Sequence, residues 1–231
     1  MRNLVPLQKK ISIEFKNHQL LDNVFVHRSY LNEHRTFPMQ SNEKLEFLGD
    51  SVLSLITSVY LYRYYPNFEE GDYTEIKASL VRTETLAEVA HKLDLGMYIY
   101  LSKGQTQEQG FYNKNILADC FEALIGAIFL DRGFSVCYKF VVGVLFKGRI
   151  ENIIEKKLYL SPKSRLQEYT QAKLKITPYY EVVEEKGPEH NRTYKVQVVI
   201  RGTKYGLGIG KSKKEAEEEA AKKTLEQHEK V

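Results

Sequence analysis

The sequence predicts a helical first domain followed by a small α+β domain whose elements run α-β-β-β-α. Three observations carry that division. Apolar residues recur at helical spacing through most of residues 1–155, and from Tyr179 the period shortens to two. Between them, Ser161-Pro162 pairs an N-cap with a proline at the first helical position, so a new helix opens there. The third is charge. The net charge is +4, yet residues 1–161 hold 19 basic and 19 acidic residues, while residues 162–231 hold 15 and 11. The excess lies in the last seventy residues, which are therefore the better candidate for meeting a polyanion. We expect a domain over 1–155, a linker over 156–161 and a second domain over 162–231.

With 231 residues there is enough chain for two modest domains with real cores. A hydrophobic content of 42% and a charged content of 28% are ordinary for a globular protein. The N-terminus mixes Arg2, Lys9 and Lys10 with short apolar pieces but has no signal-type apolar core. No apolar run approaches the length of a membrane span, so export and membrane insertion are not expected. Cys120 and Cys137 form no C-x-x-C pattern, which points to a reducing cytoplasm.

Taken in order, Asn23–Leu31 carries His27-Arg28-Ser29-Tyr30, with His27 read as structural. The stretch Asn42–Asp50 opens the central helix. Glu43, Glu46 and Asp50 fall three and four residues apart, on one stripe that no basic residue shares. Leu45, Leu48, Val52, Leu55, Ile56 and Val59 form the opposite, core face, and Ser54 and Thr57 extend the acidic side. Asn42 as N-cap and the helix dipole account for Glu43 but not for Glu46 and Asp50, which lie beyond the first turn. Pro66 ends this helix. Glu69-Glu70-Gly71-Asp72 reads as a turn into an amphipathic helical region over 73–93, and Gly104–Asn115 as a polar loop.

Ile116–Leu130 is apolar nearly all round and therefore buried, yet it contains Asp119 and Glu122 on one face beside Ala123 and Gly126. Small residues there let another helix approach closely. Ionised carboxylates in such a setting cost many kcal/mol unless they are paired or bound to a cation, and no Lys or Arg lies in this stretch. If the two helices cross at these stripes, Glu46, Asp50, Asp119 and Glu122 converge into an all-oxygen cluster suited to Mg²⁺ or Mn²⁺. Phe134–Glu155 is the expected last helix of the domain.

In the second domain a helix runs to about Lys173, and strands are expected over Tyr179–Glu185, Thr193–Arg201 and Thr203–Ile209. Lys186–Arg192 is the first connecting loop. Tyr194, Val196, Val198 and Ile200 face one way, and Lys195, Gln197 and Arg201 the other. The final helix, Ser212–His228, has Ala216, Ala220, Ala221, Thr224 and Leu225 as its core stripe. Lys211, Lys213 and Lys214 sit at its start, where the dipole favours negative charge. A phosphate site explains that misplacement; a solvated basic run followed by acids does not.

At these residues a resemblance appears. Asn42–Asp50 resembles the signature of the ribonuclease III family, Leu117–Asp131 its second acidic block, and His27–Tyr30 its H-R-S-Y block. Residues 162–231 resemble a double-stranded RNA-binding domain, with Lys163–Glu168 similar to its first helix, Gly187–His190 to its minor-groove loop and Gly208–Lys214 to its phosphate-binding helix start. The resemblance implies an all-α endonuclease domain ahead of that RNA-binding domain. It implies Mg²⁺, with Mn²⁺ as substitute, held by Glu46, Asp119 and Glu122, with Asp50 and Glu122 most directly tied to catalysis. Glu43 is a supporting acid; Glu70 is either another or a simple turn acid. Gln167 and Glu168 would touch 2′-hydroxyls, His190 the next minor groove, and Lys211, Lys213 and Lys214 the phosphates between, reading shape over roughly 16 base pairs. The implied protein is a homodimer that hydrolyses phosphodiesters in duplex RNA. It would leave 5′-phosphate and 3′-hydroxyl ends with short 3′ overhangs, in processing of ribosomal, messenger and other RNAs. A non-cleaving duplex-RNA binder and a ribosome-associated structural protein are the other classes. Both would shed acids that are all present here.

Overall fold

The computed structural model describes residues 2–188 and 192–228. Residues up to Glu155 form one compact unit, and those from Lys156 onward form a second.

The first unit is helical: α1 (Val5–Ile11), α2 (His18–Val24), α3 (Arg28–Glu33), α4 (Glu43–Tyr64), α5 (Glu70–Val81), α6 (Thr83–Lys92), α7 (Lys103–Gln107), α8 (Lys114–Arg132), α9 (Phe134–Val141) and α10 (Arg149–Glu155). Its core gathers on α8, whose Leu117, Ala118, Cys120, Phe121, Ala123, Leu124, Ile125, Gly126, Ala127 and Ile128 are buried. Helices α4 and α6 pack closely along it. The ends of α8 are tied down by polar groups. Asn113 accepts hydrogen bonds from the backbone N–H of Asn115 and Ile116, and Asp131 accepts from those of Lys16 and Asn17.

Several boundaries differ from the sequence reading, each for a local reason. Glu70, Gly71 and Asp72 are the first turn of α5 rather than a turn before it, because Glu69 and Asp72 form a reciprocal capping box. The region 73–93 is two helices, broken at Arg82, whose ψ of 150° is extended. Part of the expected loop 104–115 is helical, in α7 and in a 3₁₀ turn at Gly110–Tyr112, and α8 begins two residues earlier than expected. The single helix expected over 134–155 is α9, a π-helical turn at Val142–Phe146 and α10, divided at Gly148, whose φ of 72° ends the ladder. Arg149 of α10 donates to Glu88 of α6 at 3.0 Å and closes this side of the unit.

The 22 residues of α4 are long and apolar enough to cross a membrane, contrary to expectation. Here, however, Leu45, Gly49, Val52, Leu53, Ile56, Thr57 and Leu61 are buried within the domain, and the exposed sides carry Glu43, Asp50, Ser51 and Ser58 as well as Phe47, Leu55 and Tyr62. The helix is a core helix.

The second unit has the predicted order: α11 (Pro162–Leu174), β1 (Tyr179–Lys186), β2 (Thr193–Ile200), β3 (Thr203–Gly210) and α12 (Lys213–His228). The strands form an antiparallel sheet in the order β1-β2-β3. Leu166, Val198, Ile200, Ala220, Ala221 and Leu225 make the core between sheet and helices. Val199, absent from the predicted face of Tyr194, Val196, Val198 and Ile200, is also buried, where the β2–β3 register shifts between Gln197 and Val199. Arg201 lies beyond the strand, with φ at 52° in the turn. On β3, alternate residues Gly206, Gly208 and Gly210 face α12 so closely that a Cβ would strike Ala216, Ala220 or Thr224. The helix therefore rests on the strand's backbone.

Candidate metal centre and nucleic-acid interface

The crossing of α4 and α8 sets the geometry of the acidic residues. A Cβ on Gly49 would overlap the Glu122 carbonyl oxygen, and one on Gly126 would overlap that of Leu45. Each helix thus offers the other a glycine, and the two meet backbone to backbone. Gly49 lies between Glu46 and Asp50, and Gly126 one turn beyond Glu122, so the contact draws both acidic stripes to one place. The close approach also turns the Gly49, Leu53, Thr57 line inward. This is why Thr57 is fully buried, with its hydroxyl donating to the Leu53 carbonyl at 2.7 Å, and not on the acidic side as predicted. It is also why Leu55, predicted for the core, is 52% exposed.

Glu46, Asp119 and Glu122 each place a carboxylate oxygen so that the three lie within 4.8 Å of one another, and all three are half-buried. Burial, followed by the charges of Asp50, Asp119 and Glu46, pushes the Glu122 carboxyl up to about 8. Burial and then Asp119, Glu43 and Asp50 raise Glu46, while Arg28 opposes them; Asp119 is raised by burial and lowered by Arg28. Asp50 is exposed and acts on Glu46 and Glu122 from beside the trio rather than within it. An all-carboxylate donor set under mutual repulsion suits a hard divalent cation.

Two predicted acids stand elsewhere. Glu43 accepts from the Ser41 hydroxyl at 2.6 Å and lies 3.6 Å from Arg28. Glu70 accepts from Thr74 at 3.1 Å and lines a different cavity, of about 690 Å³, with Tyr62, Arg63, Tyr73 and Lys77. Asn42 is buried but does not cap α4 with its side chain; its amide donates to the Val24 carbonyl at 3.1 Å and anchors the motif to α2. His27 caps α3, accepting from Ser29 N–H at 3.2 Å. In the sequence, the only hint of the close approach at Gly49 is the pair of small residues, Ala123 and Gly126, on the facing helix.

In the second unit Ser161 caps α11, accepting from Ser164 N–H. Gln167 is exposed, and Glu168 is ion-paired with Lys157. Lys211, Lys213 and Lys214 are exposed around the start of α12. Ser212 and Glu215 satisfy that start: Glu215 N–H donates to Ser212 at 3.1 Å, and Lys211 N–H to the Glu215 carboxylate at 2.7 Å. Glu215 thereby offsets part of the dipole cost that the lysines impose. Lys213 sits 5.7 Å from the Tyr194 ring centroid. His190 lies outside the described residues.

Residues 17–148 match the family described as Ribonuclease-III-like, and residues 162–228 the Double-stranded RNA binding motif. Among curated proteins, the chain is 44% identical to Ribonuclease 3 of Treponema denticola, over 97% of this chain and 91% of that one. It is likewise 44% identical to Ribonuclease 3 of Chloroflexus aurantiacus, over 96% of this chain and 90% of the relative. Among solved structures, a nuclease domain of Campylobacter jejuni ribonuclease III matches with a TM-score of 0.59 and 33% identity, covering 64% of this chain and 99% of that one. With a helical domain holding converged carboxylates, an α-β-β-β-α RNA-binding domain after it and relatives this similar along nearly its whole length, the chain belongs to the ribonuclease III family of double-strand-specific endoribonucleases.

Proposed function

We propose that Glu46, Asp119 and Glu122 hold Mg²⁺, or Mn²⁺ in its place, and that duplex RNA is hydrolysed at this centre. The convergence of three half-buried carboxylates, with Glu122 raised to about 8, supports the reading, since a bound cation relieves the repulsion. When bound, the ion supplies charge neutralisation and Lewis-acid polarisation of the phosphoryl oxygen. Water adds to phosphorus, the bond to the 3′-oxygen breaks, and that oxygen takes a proton, leaving 3′-hydroxyl and 5′-phosphate ends. Asp50, exposed beside the trio, accepts a hydrogen bond from the attacking water and orients it. Glu122 fixes the reacting phosphate's position through the site it helps to form. Glu43 supports the stripe through Ser41 and Arg28.

Gln167 and Glu168 on α11, His190, and Lys211, Lys213 and Lys214 bind the duplex by shape and phosphate contacts. The active form is a homodimer in the cytoplasm whose two centres each cut one strand, leaving short 3′ overhangs on ribosomal RNA precursors and structured messenger RNAs. The outer face of α4 supports the dimer. Phe47 and Tyr62 there are 78% and 77% exposed, with Leu55 between them, an apolar stripe along a soluble-domain helix. The Campylobacter jejuni nuclease domain likewise has a region involved in dimer formation.

Purified protein incubated with end-labelled duplex and single-stranded RNA provides the test. Cleavage restricted to the duplex, dependent on Mg²⁺ and abolished by chelation, is expected. Cutting that persists in excess chelator would overturn the metal assignment.

A further inference from the structure

Arg28 stands beside the acidic centre, and neither a structural role nor the chemistry above uses it fully. It is the first residue of α3, and its backbone is firmly mounted. His27 before it caps the helix through Ser29, and the His27 N–H donates to the Tyr100 carbonyl at 3.3 Å. The side chain, by contrast, is 73% exposed and lies 3.6 Å from Glu43, beyond hydrogen-bonding distance, while the other Glu43 oxygen is held by Ser41. A guanidinium has five donors in a planar fork, so donors remain for a further partner. Its charge acts on Glu46 and Asp119, whereas the charges acting on Glu122 are carboxylates. Held 3.6 Å from Glu43, which lies one turn before Glu46 on the same stripe, the arginine borders the centre on its Glu43 side.

An RNA backbone approaching five carboxylates is repelled, and a cation at the rim answers that repulsion where the strand must pass. We propose that Arg28 is a substrate-binding residue of the cleavage site, holding a non-bridging phosphate oxygen pair of the strand that lies across the carboxylate trio. This rests on the functional reading above. Planar bidentate recognition of phosphate is the chemistry an exposed, rigidly mounted arginine supplies.

The test compares the full-length parent with Arg28→Ala and Arg28→Lys. Cleavage of one duplex is followed over a KCl series and a Mg²⁺ titration, and binding of the same duplex is measured without metal ion, where nothing is cut. For Arg28→Ala, kcat/KM at saturating Mg²⁺ is expected to fall about tenfold, the loss of a charge-assisted contact. The log–log salt slopes of kcat/KM and of binding should both drop by about 1, one phosphate contact. Arg28→Lys restores the slope but only part of the rate, since a point charge replaces the fork. The Mg²⁺ concentration for half-maximal rate should not rise. Unchanged slopes with only a lower Mg²⁺ requirement would mark Arg28 as a mere counter-ion and overturn the proposal. A parent protein that leaves duplex RNA intact overturns the functional reading, and this proposal with it. Thermal unfolding of each variant, expected to match the parent because the side chain is exposed, excludes a folding defect.

Discussion

Glu122 condenses the chemistry of the centre into one side chain. Its carboxyl is raised from 4.5 to about 8 by burial and then by Asp50, Asp119 and Glu46. A raised carboxyl favours the folded state while protonated, so in metal-free protein this contribution is full below about pH 4.5 and is lost as pH rises through about 8. Glu122→Gln keeps the size and cannot ionise. Without metal, its stability advantage over the parent should open above about pH 4.5 and level off past about 8, as read by urea denaturation; Mg²⁺ should narrow the gap by stabilising only the parent. Cleavage should be nearly abolished while duplex binding through residues 162–231 persists, with Glu69→Gln as the control. A variant cutting at the parent rate in saturating Mg²⁺ would falsify the ligand assignment. At this scale the sequence was eloquent about acids, because unpaired carboxylates on an apolar helix have few explanations. It did not show the partners of Glu43, since Ser41 and Arg28 come from the preceding turn and from another helix, nor that Glu70 would line a separate cavity.

Between elements, periodicity located α4, α8, α12 and all three strands, merged α5 with α6, and misjudged what glycine decides. Leu55 and Thr57 exchanged places because the α4–α8 crossing is set by Gly49 and Gly126, not by the widest apolar stripe. The inward face of β3 was equally illegible, since Gly206, Gly208 and Gly210 carry no apolar signal although α12 rests on them. The breaks at Arg82 and Gly148 hide inside continuous amphipathic runs. Gly49→Ala should cost about 1–3 kcal/mol through overpacking, or more if the helices cannot separate, and should weaken Mg²⁺ binding by parting the carboxylates. Gly71→Ala meets nothing within 4 Å and should instead stabilise α5 by about 0.5–1 kcal/mol without touching cleavage. Thermal melts and Mg²⁺ titrations of the two variants check this, and equal effects from both would remove the crossing from the explanation.

For the whole molecule, two surfaces govern how the chain meets others. Lys213→Ala with Lys214→Ala removes two exposed cations at the start of α12 and should weaken duplex binding about equally for all sequences, lowering the log–log salt slope by roughly 1.5 to 2. An unchanged slope rules out the phosphate assignment. Phe47→Asp places a charge on the apolar outer stripe of α4; light scattering should then report a folded monomer, against the dimer proposed for the parent. A parent that is itself monomeric at micromolar concentration contradicts the dimer. The charge asymmetry between halves announced the RNA-facing surface from composition, whereas the stripe of Phe47, Leu55 and Tyr62 is indistinguishable from core until the folded chain leaves it bare. The backbone contact of α4 with α8 carries one more implication, for how the protein tolerates mutation. Where helices are held apart by interlocking side chains, any change of core volume shifts their spacing. Here peptide groups touch directly, so trimming Leu53 or Ile125 should lower stability while the carboxylates keep their spacing. Stability and the carboxylate geometry are then separable at Leu53 and Ile125 and coupled at Gly49 and Gly126.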